Sequence, residues 1–197
     1  MSWVKLNPEP AGSALDVLIM LEDYLYDSHS LRVEKMIGEL AGALGLSDSQ
    51  ICSLRLLARY HDIGKLAISD FIVLKPGPLT PEEFREVKRH SYTGYCLARS
   101  TPGLDHVAEW ILLHHEWWNG CGYPLGLKGE EIPLECRILS IVDAYDAMTG
   151  RRPYRNAMTH DDAVQELIRC AGIQFDPRLV EAFVSFLENR RGDRHRK

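Results

Sequence analysis

Apolar side chains recur along most of this sequence at the three- and four-residue spacing of α-helices. Ser47 with Gln50, and Thr80 with Glu83, have the spacing of capping boxes, which mark helix starts. Helical segments are further predicted over residues 14–27, 29–44, 104–115, 134–149, 160–171 and 177–189. A β-prone run at residues 71–74 is too short and isolated to build a sheet. The predicted fold class is therefore all-α.

Length and composition indicate one soluble globular domain. The chain has 197 residues, of which 45% are hydrophobic, enough for a single core. Its net charge of -5 offers no basic surface for a long nucleic acid. The five cysteines form no C-x-x-C pair, which favours reduced thiols and a cytoplasmic location. The apolar run at residues 14–21 is shorter than the roughly 20 residues that a membrane-spanning helix needs, so no membrane insertion is expected.

Five of the eight histidines lie on, or directly beside, the apolar faces of predicted helices. One histidine in such a place is usually a satisfied core residue. Five are harder to explain, because buried imidazoles and carboxylates are costly unless they are paired or bound to metal. The histidines are His29, His61, His90, His114 and His115, and the accompanying carboxylates are Asp62 and Asp143.

Imidazole and carboxylate donors suit iron, manganese, nickel or zinc. A closed structural zinc site takes four ligands, usually including cysteine, whereas this set is larger and contains no cysteine, so we predict a two-metal centre. If His61 and Asp62 are neighbours on a helix, they can reach two metals with Asp62 bridging, and the same geometry is expected for His114 and His115. Two metals about 3.5–4 Å apart suit phosphoester hydrolysis. Lys65 supplies a positive charge that can neutralise a substrate phosphate.

Two motifs carry a resemblance to a known family. Residues 61–65 (His-Asp-Ile-Gly-Lys) resemble the HD signature of the HD phosphohydrolase superfamily, and residues 114–124 resemble the HHE…GYP signature of its HD-GYP subfamily. Similar elements in the same order are His29 with Arg32, His90 with Gly94, residues 137–155 and residues 172–177. The resemblance implies a single HD-type helical bundle with a metal centre in its core. It assigns residues 28–189 to the HD-GYP domain, residues 1–27 to an N-terminal segment with an apolar helix, and residues 190–197 to a basic tail.

The resemblance implies a metal-dependent phosphodiesterase that hydrolyses cyclic di-GMP to pGpG, and often onward to GMP, through a metal-bridging hydroxide. Iron or manganese is expected, with nickel or zinc as alternatives. The implied metal ligands are His29, His61, Asp62 as the bridge, His90, His114, His115 and Asp143. The implied catalytic residues are Asp62 and Lys65, and the implied substrate contacts are Lys65, Tyr123, Arg152 and Arg155. Leu25 stands where three-metal members carry glutamate, so the expectation is two metals.

Two other functions stay open at this point. The domain could be a catalytically weak module that binds a cyclic dinucleotide, or docks GGDEF-type diguanylate cyclases through residues 122–124. It could also apply the same chemistry to another nucleotide, such as cyclic GMP-AMP. Only 28 residues precede His29, so no regulatory domain is expected there. The apolar helix at residues 14–26 is interpreted first as part of the bundle, with a linker or a homodimer contact as alternatives.

Overall fold

The computed structural model describes residues 29–73, 75, 77–150 and 157–194 of the chain, and these residues are helical without a named strand. The α-helices are α1 (His29–Ala43), α2 (Asp48–Tyr60), α3 (Asp70–Val73), α4 (Pro81–Arg99), α5 (Ala108–Leu113), α6 (Leu134–Thr149), α7 (His160–Cys170) and α8 (Pro177–Arg194). Three 3-10 turns lie between them, at Ile63–Ala67, Asp105–Val107 and Gly129–Glu131. The predicted all-α class is confirmed. No helix in the described part is long and apolar enough to cross a membrane.

Both predicted capping boxes are present at the starts of α2 and α4. The Ser47 hydroxyl accepts from the Gln50 amide at 3.4 Å, and the Gln50 side chain accepts from the Ser47 amide at 3.1 Å. Thr80 and Glu83 make the corresponding bonds at 3.2 and 2.7 Å. These contacts satisfy amide groups that have no partner inside the helix, so the two helix starts follow directly from the sequence.

Three predicted segments differ from the structure. The segment 104–115 divides into the 3-10 turn Asp105–Val107 and the short helix α5. The β-prone run at residues 71–73 forms a single helical turn, α3. Helix α8 continues to Arg194, beyond the predicted helix end at residue 189, and so includes residues 190–194 of the predicted basic tail. Ion pairs explain the extension, since Arg190 lies 3.1 Å from Glu39 and Arg191 lies 2.9 Å from Asp161. The predicted helix at residues 14–27 lies outside the described residues.

Helix α6 occupies the middle of the bundle and packs against α1, α2, α5, α7 and α8. The shared core includes Val33 and Ile37 of α1, Leu54 and Leu57 of α2, Ile138, Leu139 and Val142 of α6, Leu167 of α7, and Phe183 of α8. Because α6 is surrounded in this way, a carboxylate on it such as Asp143 can face side chains from the ends of neighbouring helices.

The 3-10 turn Ile63–Ala67 crosses α4 with no room for a side chain at the crossing. A Cβ atom at Gly64 would lie 1.9 Å from the carbonyl oxygen of His90 and 2.6 Å from the amide nitrogen of Gly94. Glycine is needed here because it alone lets two backbones approach so closely. The contact brings Asp62, at the start of the turn, beside His90.

Candidate metal centre

The adjacent pairs His61-Asp62 and His114-His115 lie just beyond helix ends rather than on the helices. Helix α2 ends at Tyr60 with His61 as its C-cap, and α5 ends at Leu113 with His114 as its C-cap. The expectation that each pair spans a helix is therefore wrong. Leaving the helix frees adjacent side chains from the fixed angle of about 100° between neighbours.

Three histidines are fixed in one tautomer by the backbone. The Nδ1 atoms of His61, His90 and His114 lie 2.8, 2.7 and 2.7 Å from the carbonyl oxygens three residues earlier in the chain. A carbonyl oxygen can only accept, so each Nδ1 carries the proton and each Nε2 presents a lone pair when the ring is neutral. A hydrogen bond of this kind orients a histidine that ligates a metal through its other nitrogen.

Three histidine Nε2 atoms and one carboxylate form a first group of donors, which we call subsite B. Its members are Asp62, His90, His114 and His115. The His90 Nε2 lies 3.3 Å from the His114 Nε2, 3.1 Å from the His115 Nε2 and 3.4 Å from Asp62 Oδ1. Burial lowers the pKa of His90 and His114, and with the repulsion of His90 it lowers the pKa of His115 to about 3. Neutral imidazoles whose lone pairs converge on a carboxylate are the donors that a divalent metal takes.

Three more donors form a second group, subsite A: His29, His61 and Asp143. Asp143 Oδ1 lies 3.0 Å from the His29 Nε2 and 3.9 Å from the His61 Nε2. The His61 Nε2 is buried and has no hydrogen-bond partner among the described residues, which fits a position facing a metal. Burial opposes charge on His29, but hydrogen bonds with Asp143 and Asp146 raise its pKa to about 9. Metal binding at subsite A must therefore displace a proton.

Asp62 faces both subsites. Its Oδ2 lies 3.3 Å from the His61 Nε2, and its Oδ1 lies 3.4 Å from the His90 Nε2. The Lys65 ammonium donates to Oδ2. Burial raises the pKa of Asp62, but Lys65 and His61 outweigh it and hold the pKa well below its usual value, so the carboxylate is charged. One oxygen directed at each group is the geometry of a bridging ligand.

The structure thus gathers all seven predicted ligand side chains at one end of the bundle, in two groups that share Asp62. Their binding of metal stays a prediction. The expectation that His114 and His115 reach two metals differs from the observed grouping, because both belong to subsite B. The reason is that both follow the end of α5 in one turn, with ring centroids only 4.0 Å apart.

Tyr123 lies at the edge of subsite B. Its ring stacks on that of His115, with centroids 4.7 Å apart, and the Lys88 ammonium lies 4.9 Å from the centre of the Tyr123 ring. Burial raises the pKa of Tyr123, so its phenol stays protonated and can donate a hydrogen bond. The other predicted substrate contacts, Arg152 and Arg155, and the position of Leu25 lie outside the described residues.

Sequence reasoning missed the residue that holds the loop carrying Tyr123. Glu116 is only 3% exposed, and its Oε1 accepts from the amides of Leu125 and Gly126 at 2.6 and 3.1 Å. The loop also passes so close to the end of α5 that a Cβ atom at Gly122 would lie 2.3 Å from the Trp117 amide nitrogen. The signal for Glu116 was its place directly after the two histidines. Asp146, which contacts His29, was also missed, although it follows Asp143 by three on α6.

Comparison with known proteins identifies the family of the chain. The model of the HD domain family matches residues 14–179. A cyclic di-GMP phosphodiesterase of Thermotoga maritima is 42% identical over 175 residues, which cover 86% of this chain and 48% of that protein. The cyclic di-GMP phosphodiesterase response regulator RpfG of Xanthomonas campestris is 43% identical over 155 residues, or 78% of this chain and 41% of that protein.

A second nucleotide appears among the relatives. The 3'3'-cGAMP-specific phosphodiesterase 2 of Vibrio cholerae is 38% identical over 156 residues, covering 78% of this chain and 30% of that protein. The crystal structure of a cyclic GMP-AMP-specific phosphodiesterase from V. cholerae has the same fold, with a TM-score of 0.67 at 23% identity over 83% of this chain and 44% of that one. The chain spans less than half the length of each of these proteins. By its sequence match and its motifs, the chain belongs to the HD domain family and, within it, to the HD-GYP subfamily.

Proposed function

We propose that this chain is a metal-dependent phosphodiesterase that hydrolyses cyclic di-GMP. The observation that carries the proposal is Asp62, whose two oxygens face two separate groups of histidine donors. A pair of metals held about 3.5–4 Å apart is suited to phosphoester hydrolysis. The relatives named cyclic di-GMP phosphodiesterases support this choice of substrate.

The donor set fits two divalent metals, iron or manganese first, with nickel or zinc as alternatives, because it combines imidazole and carboxylate without a thiolate. Bound there, such metals lower the pKa of a water molecule to make a nucleophile and polarise phosphoryl oxygens. The protein fixes the donors: three histidine rings are oriented by backbone carbonyls, and Asp62 is held ionised between the subsites.

Two side chains at the centre suit a phosphodiester. The Lys65 ammonium lies beside Asp62, where it can also offset charge on a non-bridging phosphate oxygen. The protonated Tyr123 phenol can donate to the substrate at the edge of subsite B. Arg152 and Arg155 are proposed to hold the second phosphate or a guanine edge, since an arginine fork matches phosphate geometry. The expected products are pGpG and then GMP.

Cyclic GMP-AMP is the second candidate substrate. Relatives named for that nucleotide match 78% of this chain at 38–39% identity, close to the values for the cyclic di-GMP enzymes. Both nucleotides present the same phosphodiester to the centre, so the metal chemistry alone does not separate them. Docking to a GGDEF-type cyclase and formation of a homodimer are further proposals for partners.

The test is hydrolysis by reconstituted protein. After anaerobic loading with Fe(II) or Mn(II), we expect metal-dependent loss of cyclic di-GMP and appearance of pGpG and GMP in a chromatographic time course, with chelator-treated protein inactive. Equal amounts of cyclic di-GMP and cyclic GMP-AMP in one reaction would give the preference between them. A protein that holds two metals and binds the nucleotide but releases no product would overturn the proposal in favour of a binding module.

Replacing Glu116 tests the loop that carries Tyr123. In Glu116→Ala the amides of Leu125 and Gly126 lose a buried charged acceptor, and a bond of that kind contributes about 1.5–3 kcal/mol. We expect KM for the dinucleotide to rise about tenfold or more, with metal content unchanged. Glu116→Gln keeps the accepting oxygen and is expected to stay within about threefold of wild type. An unchanged KM in the alanine variant would show that the loop does not position substrate.

A further inference from the structure

His29 is oriented differently from three other histidines of the centre. His61, His90 and His114 each use a backbone carbonyl three residues earlier to hold Nδ1. His29 is the first described residue of α1, and no described residue lies three positions before it. Its Nδ1 instead lies 2.7 Å from Oδ2 of Asp146, a side chain of α6 that is 5% exposed.

Arg32 fixes Asp146 in turn. Its Nε donates to Asp146 Oδ1 at 2.8 Å, and one of its terminal nitrogens donates to Oδ2 at 2.9 Å. A two-point bond between a guanidinium and a carboxylate sets the plane of the carboxylate as well as its distance. Arg32 follows His29 by three residues and Asp146 follows Asp143 by three, so the same turns of α1 and α6 carry both the proposed ligands and this pair.

We propose that Asp146, held by Arg32, is a positioning residue that directs the Nε2 of His29 into subsite A. The proposal rests on the proposed function only in that subsites A and B are taken to hold the metals. A carboxylate behind a ligating imidazole fixes its tautomer and ring angle and strengthens it as a donor. The expected consequence is selective: Asp146 supports subsite A through His29, whereas His90 and His114 of subsite B are oriented by the backbone.

The Arg32–Asp146 pair also connects α1 to α6. A purely structural role for Asp146 would therefore predict a loss that is not confined to subsite A. The chain offers a matched pair for comparison. Asp176, also 5% exposed, lies 2.7 Å from Arg137 of α6 and contacts no histidine among the described residues. Asp176→Asn therefore removes a similarly buried, arginine-bound carboxylate that contacts none of the proposed metal ligands among the described residues.

The experiment is titration of metal-free protein with Mn²⁺ against a chromophoric chelator, with electron paramagnetic resonance to separate an isolated ion from a coupled pair. In Asp146→Asn the charge is lost, and the atom facing the Arg32 Nε becomes an amide donor. We expect affinity at one of the two sites to fall about 10–100-fold while the other is unchanged, so that isolated Mn²⁺ replaces the coupled pair. Asp146→Ala should lose more, and Arg32→Lys less.

The outcomes separate the two proposals. Wild-type protein that binds fewer than two Mn²⁺ ions would contradict the proposed two-metal centre itself. Wild-type binding of two ions, together with unchanged binding in Asp146→Asn, would overturn the positioning role alone. Equal losses of Mn²⁺ affinity in Asp146→Asn and Asp176→Asn would show that buried carboxylate–arginine pairs act on the fold in general. That result would also overturn the positioning role. No nucleotide is needed, so the result does not depend on which substrate the protein takes.

Discussion

Asp62→Asn is expected to abolish hydrolysis of cyclic di-GMP, with turnover lowered by more than about 10³-fold. This loss is larger than the one that follows removal of a single hydrogen-bond donor to a transition state. The reason is that Asp62 lies between the His61 and His90 Nε2 atoms with one oxygen directed at each. Asparagine keeps the shape but has one oxygen and no charge, so it cannot bridge two metals. The measurements are product formation at saturating metal and metal content after gel filtration.

Loss of activity must be distinguished from loss of fold. Asp105→Asn provides the control, because Asp105 is exposed, its side chain pairs with Arg99 at 2.6 Å, and it belongs to neither subsite. The circular dichroism of metal-free Asp62→Asn should stay near that of wild type, whereas its unfolding midpoint should fall, because the ion pair with Lys65 that outweighs the burial cost of Asp62 is lost. An Asp62→Asn protein that retains two metals and turnover within about tenfold of wild type would contradict the bridging role.

The sequence predicted the fold class correctly, and it singled out the candidate donors, because both depend on local patterns. A hydroxyl side chain followed three residues later by glutamine or glutamate marks the starts of α2 and α4, and the apolar spacing marks the face on which His61 and His90 lie. A set of histidines on such faces has few physical explanations other than a metal centre. For these features the structure adds distances to what residue types and spacing already indicated.

The grouping of the donors did not follow from the sequence, because it depends on where helices end. Apolar spacing continues through His114, but α5 stops at Leu113, and the turn after it sends both His114 and His115 to subsite B. Asp146 was missed for a related reason, since its importance comes from the packing of α6 against the first turn of α1. Contacts between elements distant in the chain leave only a weak trace in one sequence.

Gly64→Ala is expected to lower the free energy of unfolding of the protein by about 4 kcal/mol or more. The added Cβ would lie 1.9 Å from the His90 carbonyl oxygen and 2.6 Å from the Gly94 amide nitrogen. Both are backbone atoms of α4, so no side-chain rotation can relieve the overlap, and the turn Ile63–Ala67 must move away from the helix. Denaturant unfolding of metal-free protein measures the change.

Gly42→Ala is the matched control, since Gly42 lies on α1 and a Cβ atom there would have no heavy atom within 4 Å. Alanine at that position should raise stability by up to about 1 kcal/mol through its higher helix propensity. Gly64→Ala should also weaken metal binding, because the turn that moves carries Asp62 away from His90 and separates the two subsites. If the free energy of unfolding of Gly64→Ala lay within about 1 kcal/mol of the wild-type value, the close crossing could not be what sets the Asp62–His90 distance. A large loss of stability in Gly64→Ala together with a gain in Gly42→Ala would show that the metal centre depends on one backbone contact that only glycine permits.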